Sequence, residues 1–408
     1  MKKLLSVILG LIAIAIFGVF TTKTLIPKDN NEVVFWTLQM SDFSSYMNGV
    51  ISDFEKENPN IKIKWIDVPF SEGEKRTLAS VLSDNPPDLI NLNPDFSATL
   101  AQKGALYEIP EENATQYNQA IVNSLKYNGK LYSLPWYATS AVTIYNKSLL
   151  KQSSVPVPNT YEEIVRIAPT IKTKTNAYVF LPNITENDTM LKILNKYGIN
   201  SPTTINSEKS AYVFNMFKTL YNQNLIPKES ITQTHREALE KYMSENIALF
   251  QAGANFLNMI KENAPSTYSH TDVAPQITGE LGQNDFSLMN FVIPQKAKHK
   301  NEAIKFALYL TNNKNQLELA KLTNIIAVNK TTLNNEFYTK YSADDLMAKA
   351  RVISAKQLNK VEPVLISSQN QKDVNNLINT TVQNILLGKV ETKSSLTKLS
   401  IDWADLLK

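Results

Sequence analysis

"EVVFWTLQMSDFSSYMNGVISDFEKENPNIKIKWIDV", Glu32 to Val68, changes its hydrophobic period twice. Its opening, "EVVFWTL" (32–38), is β-branched and aromatic and reads as a buried strand. In "YMNGVISDFEKENP" (46–59), Met47, Val50, Ile51 and Phe54 fall on one helical face, and Pro59 stops the helix. "IKIKWIDV" (61–68) then alternates with period two, which is a strand again. A helix at about 73–83, the turn "NPPD" and a strand "LINLN" (89–93) follow. This β-α-β-α-β order implies a parallel sheet covered by helices on both faces. Such sheets place ligands at the carboxyl ends of their strands. Here those ends are the polar stretches "LQMSD" (38–42) and "NLNPD" (91–95).

The later chain is richer in helix. Amphipathic segments are expected at about 207–224, 235–245, 299–312, 315–322, 343–357 and 370–388. Short strands lie between them at 177–181, 247–251 and 291–294. With 408 residues the chain exceeds one ordinary core, and two or three domains are expected. No Pro/Gly/Ser-rich linker divides it, so the lobes are expected to be joined by segments that cross more than once.

The first residues stand apart. Lys2 and Lys3 precede an uncharged run from Leu4 to Phe20, which is an export signal. At 17 residues the run reaches the lower end of what spans a bilayer, about 17–25. "FGVFTT" offers no small-residue cleavage site, so Leu4–Phe20 is expected to stay as an anchor, with the rest of the chain outside the cytoplasm. Lys2, Lys3 and Lys23 carry three of the four net positive charges, which leaves a near-neutral body. That argues against nucleic acid as a partner.

Composition and motifs exclude several chemistries. There is no cysteine, hence no disulfide, thiolate nucleophile or Cys-ligated metal. His235, His270 and His299 are isolated from one another, and a solvated or helix-surface role is expected for them rather than metal binding or catalysis. No Gly-rich phosphate loop and no G-x-S-x-G elbow occurs. Paired acids such as Glu111/Glu112 and Glu162/Glu163 read as solvated neighbours. No catalyst, cofactor or metal site is nominated.

"YNGKLYSLPWY" (127–137) is dense in aromatic side chains. Gly129 marks a turn, a strand follows, and Pro135 is expected to end it. Core packing suits Tyr132. Trp136 stands open between packing and a stacking surface.

The order of motifs resembles the family 1 extracellular solute-binding proteins of ATP-driven importers, which include maltose-binding protein. The resemblance rests on Phe54 with "ENPNIKI" (57–63), "DNPPDLINL" (84–92), "LAQKGALYEI" (100–109), "GKLYSLPWY" through "IYNKSLL" (129–150), "VPNTYEE" (157–163) and "AIKFALYLTN" (303–312). It departs at "QAGANF" (251–256), where Asn255 replaces a frequent stacking Trp, and at "NIIAVNK" (324–330), which lacks the usual Pro. No lipobox cysteine exists.

The resemblance implies an α/β, two-lobed periplasmic-binding-protein-like fold of type II. Each lobe would be a mixed or mostly parallel sheet flanked by helices, the two joined by crossover hinges. Lobe 1 is expected at 32–138 plus 288–325 and lobe 2 at 139–287 plus 326–408, after the leader 1–29. It further implies a monomer that captures a carbohydrate and delivers it to ABC permease subunits, without enzyme activity. The other classes are an envelope glycosidase and an adhesion protein. By position, the ligand-binding candidates are Gln39, Asp42, Asn93, Asp95, Trp136, Tyr137, Asn255 and Asn290. Trp136 is expected to be an aromatic platform for the sugar, with Tyr137 as a second ring.

Overall fold

The computed structural model describes residues 31–358 and 370–407; Leu4–Phe20 and the anchor expected there lie outside the described residues. Among the described residues no helix is long and apolar enough to cross a membrane.

The strands are β1 (Asn31–Leu38), β2 (Ile61–Val68), β3 (Leu89–Leu92), β4 (Lys126–Tyr127), β5 (Lys130–Leu131), β6 (Ser133–Thr139), β7 (Ala141–Asn146), β8 (Tyr178–Phe180), β9 (Ile247–Gly253), β10 (Thr271–Ala274), β11 (Ser287–Val292) and β12 (Ile326–Ala327). The first sheet runs β12-β6-β11-β3-β1-β2. Its β2-β1-β3 part is parallel, as the opening stretch requires, with Asn31 opposite Ile61 and Leu38 opposite Val68. Strands β11 and β12 are antiparallel to their neighbours, so the sheet is mixed. The second sheet runs β10-β7-β9-β8, with β8 parallel to β9.

Both faces of each sheet are covered. On one face of the first, Val33, Phe35, Leu89 and Phe291 meet Phe54 and Phe306. The ring centroids of Phe306 and Phe35 are 5.3 Å apart, those of Phe306 and Phe54 4.9 Å, both edge-on. Met47, Val50, Ile51 and Phe54 are the buried stripe of the helix Ser44–Glu57, the residues its period selects. On the other face Leu38, Ile90, Leu92 and Val292 pack with Leu100. The second sheet has the same build, with Val179 and Leu249 among Ile164, Phe214, Phe217 and Ile378 on one face. Val142, Ile144, Phe250 and Ala252 lie on its other face.

Strands β4 and β5 form a hairpin around the turn expected at Gly129. Asn128 (φ 49°) and Gly129 (φ 77°) both sit in the left-handed region, the geometry of a two-residue turn matched to strand twist. The strand after it differs from expectation. Pro135 does not end β6 but lies inside it. The two-residue β12 pairs with β6 only at Tyr137 and Ala138, and β11 carries a register shift at Met289/Asn290 opposite. The missing Pro N–H therefore breaks no ladder on the β12 side.

Ser140 alone separates β6 of the first sheet from β7 of the second. The chain returns between β10 and β11, and passes over again through the helix Leu346–Gln357, which packs on β7, β10 and β12. The expected division put everything after residue 325 in lobe 2. Ile326, Ala327, Val328 and Tyr338 instead sit in the core of the first sheet. The cause is visible: β12 joins β6, the Tyr338 hydroxyl donates to the Ile325 carbonyl (2.9 Å), and it accepts from the Ala327 N–H (2.9 Å). Ala350 of the helix Leu346–Gln357 already joins the second sheet's core on one face, and the later helices join it on the other through Val374, Ile378, Leu396 and Trp403.

Candidate functional site

A cleft of about 450 Å³ opens beside the first two crossings, lined there by Thr139–Ala141 and Asp285–Ser287. Its remaining wall comes from the second sheet. β8 and β9 are parallel, and their carboxyl ends deliver Phe180 to Asn183 and Phe250 to Gly253 into it. This is the strand-end rule applied to the sheet that the opening stretch does not belong to.

One side is aromatic. The His235 ring stacks on Phe250 at 4.7 Å with 30° between planes. Phe256 stands edge-on to both, at 5.0 Å and 5.7 Å. His235 is delivered by the start of the helix His235–Met243, whose Thr234 and Glu237 form a capping box. Its N–H donates to Glu186 Oε2 at 2.8 Å. Burial against the rings holds the His235 pKa below that of an ordinary histidine. Burial also raises the Glu186 pKa, opposed by the His235 N–H and aided by the charge of Glu237. Of the solvated or helix-surface role expected for His235, the helix position holds but free solvation does not: the ring is half-buried, with Phe250, 15 positions later, against one face.

Polar groups line much of the rest. Asn183 (φ 49°) turns the chain after β8 and donates through Nδ2 to the Gln233 carbonyl at 3.1 Å. Gln251 Oε1 accepts from the Ile277 N–H at 3.2 Å. The Lys192 ammonium pairs with Asp188 at 3.1 Å. Burial opposes its charge, but Asp188, Asp285 and Asp95 outweigh burial and hold the Lys192 pKa above the ordinary lysine value. Asp95 belongs to the helix Pro94–Gln102, beside the first sheet, so charges from both halves meet here. No cluster of His, Asp or Glu fit to hold a metal occurs among the described residues.

The residues singled out in the sequence scatter. Asn255 lies on the cleft, exposed, at the start of the helix Phe256–Asn263. Gln39 (φ 52°) and Asp42 are exposed beyond the end of β1, and neither lines the cleft. Asn93 is a helix cap, its Oδ1 accepting from the Phe96 N–H at 2.8 Å. Asn290 is fully buried and donates to Ser97 Oγ at 2.9 Å, so it braces the sheet against a helix. Trp136 requires the largest correction. It is 0% exposed and stacks on Phe291 at 4.7 Å, within the core of the first sheet. Because β6 runs on through Pro135, the indole points into that core and away from solvent. Tyr137 is half-buried and edge-on to Trp136 at 5.1 Å, and it does not line the cleft. Glu186, Asp188, Lys192, His235 and Asp285 were not found from sequence. The polar run "LPNITENDTM" (181–190) after a strand was the available signal.

Two sheet-and-helix units, crossed repeatedly by one chain and sharing a polar and aromatic cleft at the crossings, are the build of a binding protein for small molecules. The chain belongs to the bacterial extracellular solute-binding protein family, whose model matches residues 38–317. The family acts outside the cytoplasm. A multiple sugar-binding protein of Streptococcus mutans serotype c is 26% identical over 329 residues, which cover 74% of this chain and 77% of that one. The galactooligosaccharide-binding protein of Bacillus subtilis is 22% identical over 389 residues, covering 90% and 87%. Among solved structures, a periplasmic-binding protein from Synechococcus sp. MITs9220 superposes with a TM-score of 0.80 at 27% identity, covering 91% of this chain and 98% of that one. The sugar-binding protein MalE of Xanthomonas citri shares the fold, with a TM-score of 0.77 at 19% identity over 92% and 97%.

Proposed function

We propose that the protein captures an oligosaccharide in this cleft and presents it to the membrane subunits of an ABC importer. The observation that carries this reading is the pairing of the His235 and Phe256 rings, backed by the buried Phe250, with Asn183, Gln251 and Asn255 in one cleft. A sugar offers flat C–H faces to rings and a rim of hydroxyls to amides and carboxylates. The names of the sugar-binding relatives support the same ligand class. Residues 31–139 with 287–340 would move as one lobe, and 141–286 with the helices after 370 as the other. Closure would carry Asp95 and the first lobe onto a sugar held by Asn255 and its neighbours. Leu4–Phe20 would tether the monomer to the membrane, and the protein would bind without catalysing.

A thermal-shift screen of the full chain tests this, in a detergent without a sugar headgroup. The probes are maltotriose, N,N′-diacetylchitobiose and β-1,4-galactobiose. A sugar at about 100 times its Kd adds about 2.7 kcal/mol of stability, read as a midpoint a few degrees higher. No shift with any of the three contradicts the ligand class. Release of shorter sugars from the same mixtures would make the protein a glycosidase.

A further inference from the structure

Asp285 stands on the segment that returns the chain from β10 to β11, and it lines the cleft. Its Oδ2 pairs with the Lys196 ammonium at 2.9 Å. Lys196 is only 1% exposed and also donates to Gln276 Oε1 (3.0 Å) and the Ile277 carbonyl (2.8 Å). Each ammonium proton therefore has an acceptor.

The aspartate main chain is held as firmly. Its N–H donates to Gln276 Oε1 (2.9 Å), and its carbonyl accepts from Gln276 Nε2 (3.0 Å) and Ser140 Oγ (3.2 Å). Ser140 Oγ accepts from Gln357 Nε2 at 2.9 Å. Ser140, Asp285 and Gln357 come from the three places where the chain passes between the sheets. These bonds fix the Asp285 main chain, and the Lys196 ammonium holds Oδ2. The other carboxylate oxygen, Oδ1, is shielded from solvent and accepts no hydrogen bond from any described group, although the side chain as a whole is 28% exposed. A dry carboxylate oxygen without a donor is costly. Because the side chain is 28% exposed on the cleft, a small turn about Cβ–Cγ uncovers Oδ1, and a hydroxyl brought by a ligand would then remove that cost.

We infer that Asp285 is a ligand residue whose Oδ1 accepts a hydrogen bond from a hydroxyl of the bound sugar, and that Lys196 is the positioning residue that aims it. This rests on the cleft being an oligosaccharide site. It deepens that reading, because an acceptor-only group here selects hydroxyl-bearing neutral sugars over phosphorylated or carboxylated ones.

The test is calorimetric titration of the full chain with maltotriose, N,N′-diacetylchitobiose and β-1,4-galactobiose. It compares wild type, Asp285→Asn, Lys196→Met and the double variant. Asp285→Asn leaves Lys196 buried without its counter-charge, so the double variant, which removes both charges, is the safeguard against misfolding. Circular dichroism verifies each fold. Wild type binds at least one sugar, and Asp285→Asn and the double variant bind it about ten- to hundredfold more weakly. Lys196→Met also weakens it, and the double variant loses no more than Asp285→Asn. A merely structural lysine would lower the unfolding midpoint without that non-additive loss of affinity. Wild-type affinity in a folded double variant overturns the proposal and leaves the proposed function standing. Failure of wild type to bind any of the three sugars overturns both.

Discussion

Trp136→Ala separates core from platform in one variant. The indole is 0% exposed, lies on Phe291 at 4.7 Å with 29° between planes, and meets Tyr137 at 5.1 Å. Truncating a buried Trp to Ala costs about 3–5 kcal/mol, the spread reflecting how far the cavity collapses. Here β6 is pinned on both sides by β11 and β12, so little collapse is available and the upper half of that range is expected. The indole Nε1 has no hydrogen-bond partner, so Trp136→Phe gives up no polar contact and costs less than half as much. Denaturant unfolding followed by circular dichroism reads both, as an earlier transition of the first lobe. Sugar affinity of the folded Trp136→Ala protein stays within about threefold of wild type, far from the tenfold loss that one kilocalorie and a half would give. A stability loss below about 1 kcal/mol together with weakened binding would refute the argument and return Trp136 to the ligand.

Three other expectations follow from local geometry. His235 is held neutral by burial, so the folded pKa is depressed. Its contribution is intact above about pH 6.5 and is lost as pH falls through the lower folded value, with a slope of at most about 1.4 kcal/mol per pH unit; His235→Phe should flatten that acid limb in pH-dependent unfolding, and an unchanged limb contradicts it. Lys192→Met should cost at most about 1 kcal/mol of stability, because the Lys192–Asp188 pair is 40% and 37% exposed; a loss of several kilocalories by chemical denaturation would mean a buried role. Gly129→Ala meets no atom within 4 Å, yet φ of +77° is left-handed. It should destabilise by about 1–2 kcal/mol from backbone strain alone, and a neutral result by thermal unfolding would contradict the turn.

The first lobe was legible because its signals are local. Met47, Val50, Ile51 and Phe54 mark a helical face, and Ile61–Val68 alternates, within spans shorter than fifteen residues. The site was less legible because its parts are brought together by tertiary structure. His235 reads as a surface residue until Phe250 stacks on it. Lys196 follows no pattern that would bury a lysine; its partners Gln276 and Asp285 lie 80 and more positions away. Pro135 was misread since the rule against proline in a strand assumes neighbours along its full length, and β12 supplies only two residues. The position of Trp136 changed with it. Asn255, singled out where the family resemblance puts a stacking Trp, lies on the cleft wall.

The most direct test of the central claim is a crystal structure of the protein grown with a saturating sugar from the screen. Density is expected for one sugar in the cleft beside Ser140, packed on the His235 and Phe256 rings, with a hydroxyl within hydrogen-bond distance of Asp285 Oδ1. Density only at the first sheet's strand ends, around Gln39 and Asp95, or an empty cleft at saturation, would contradict it.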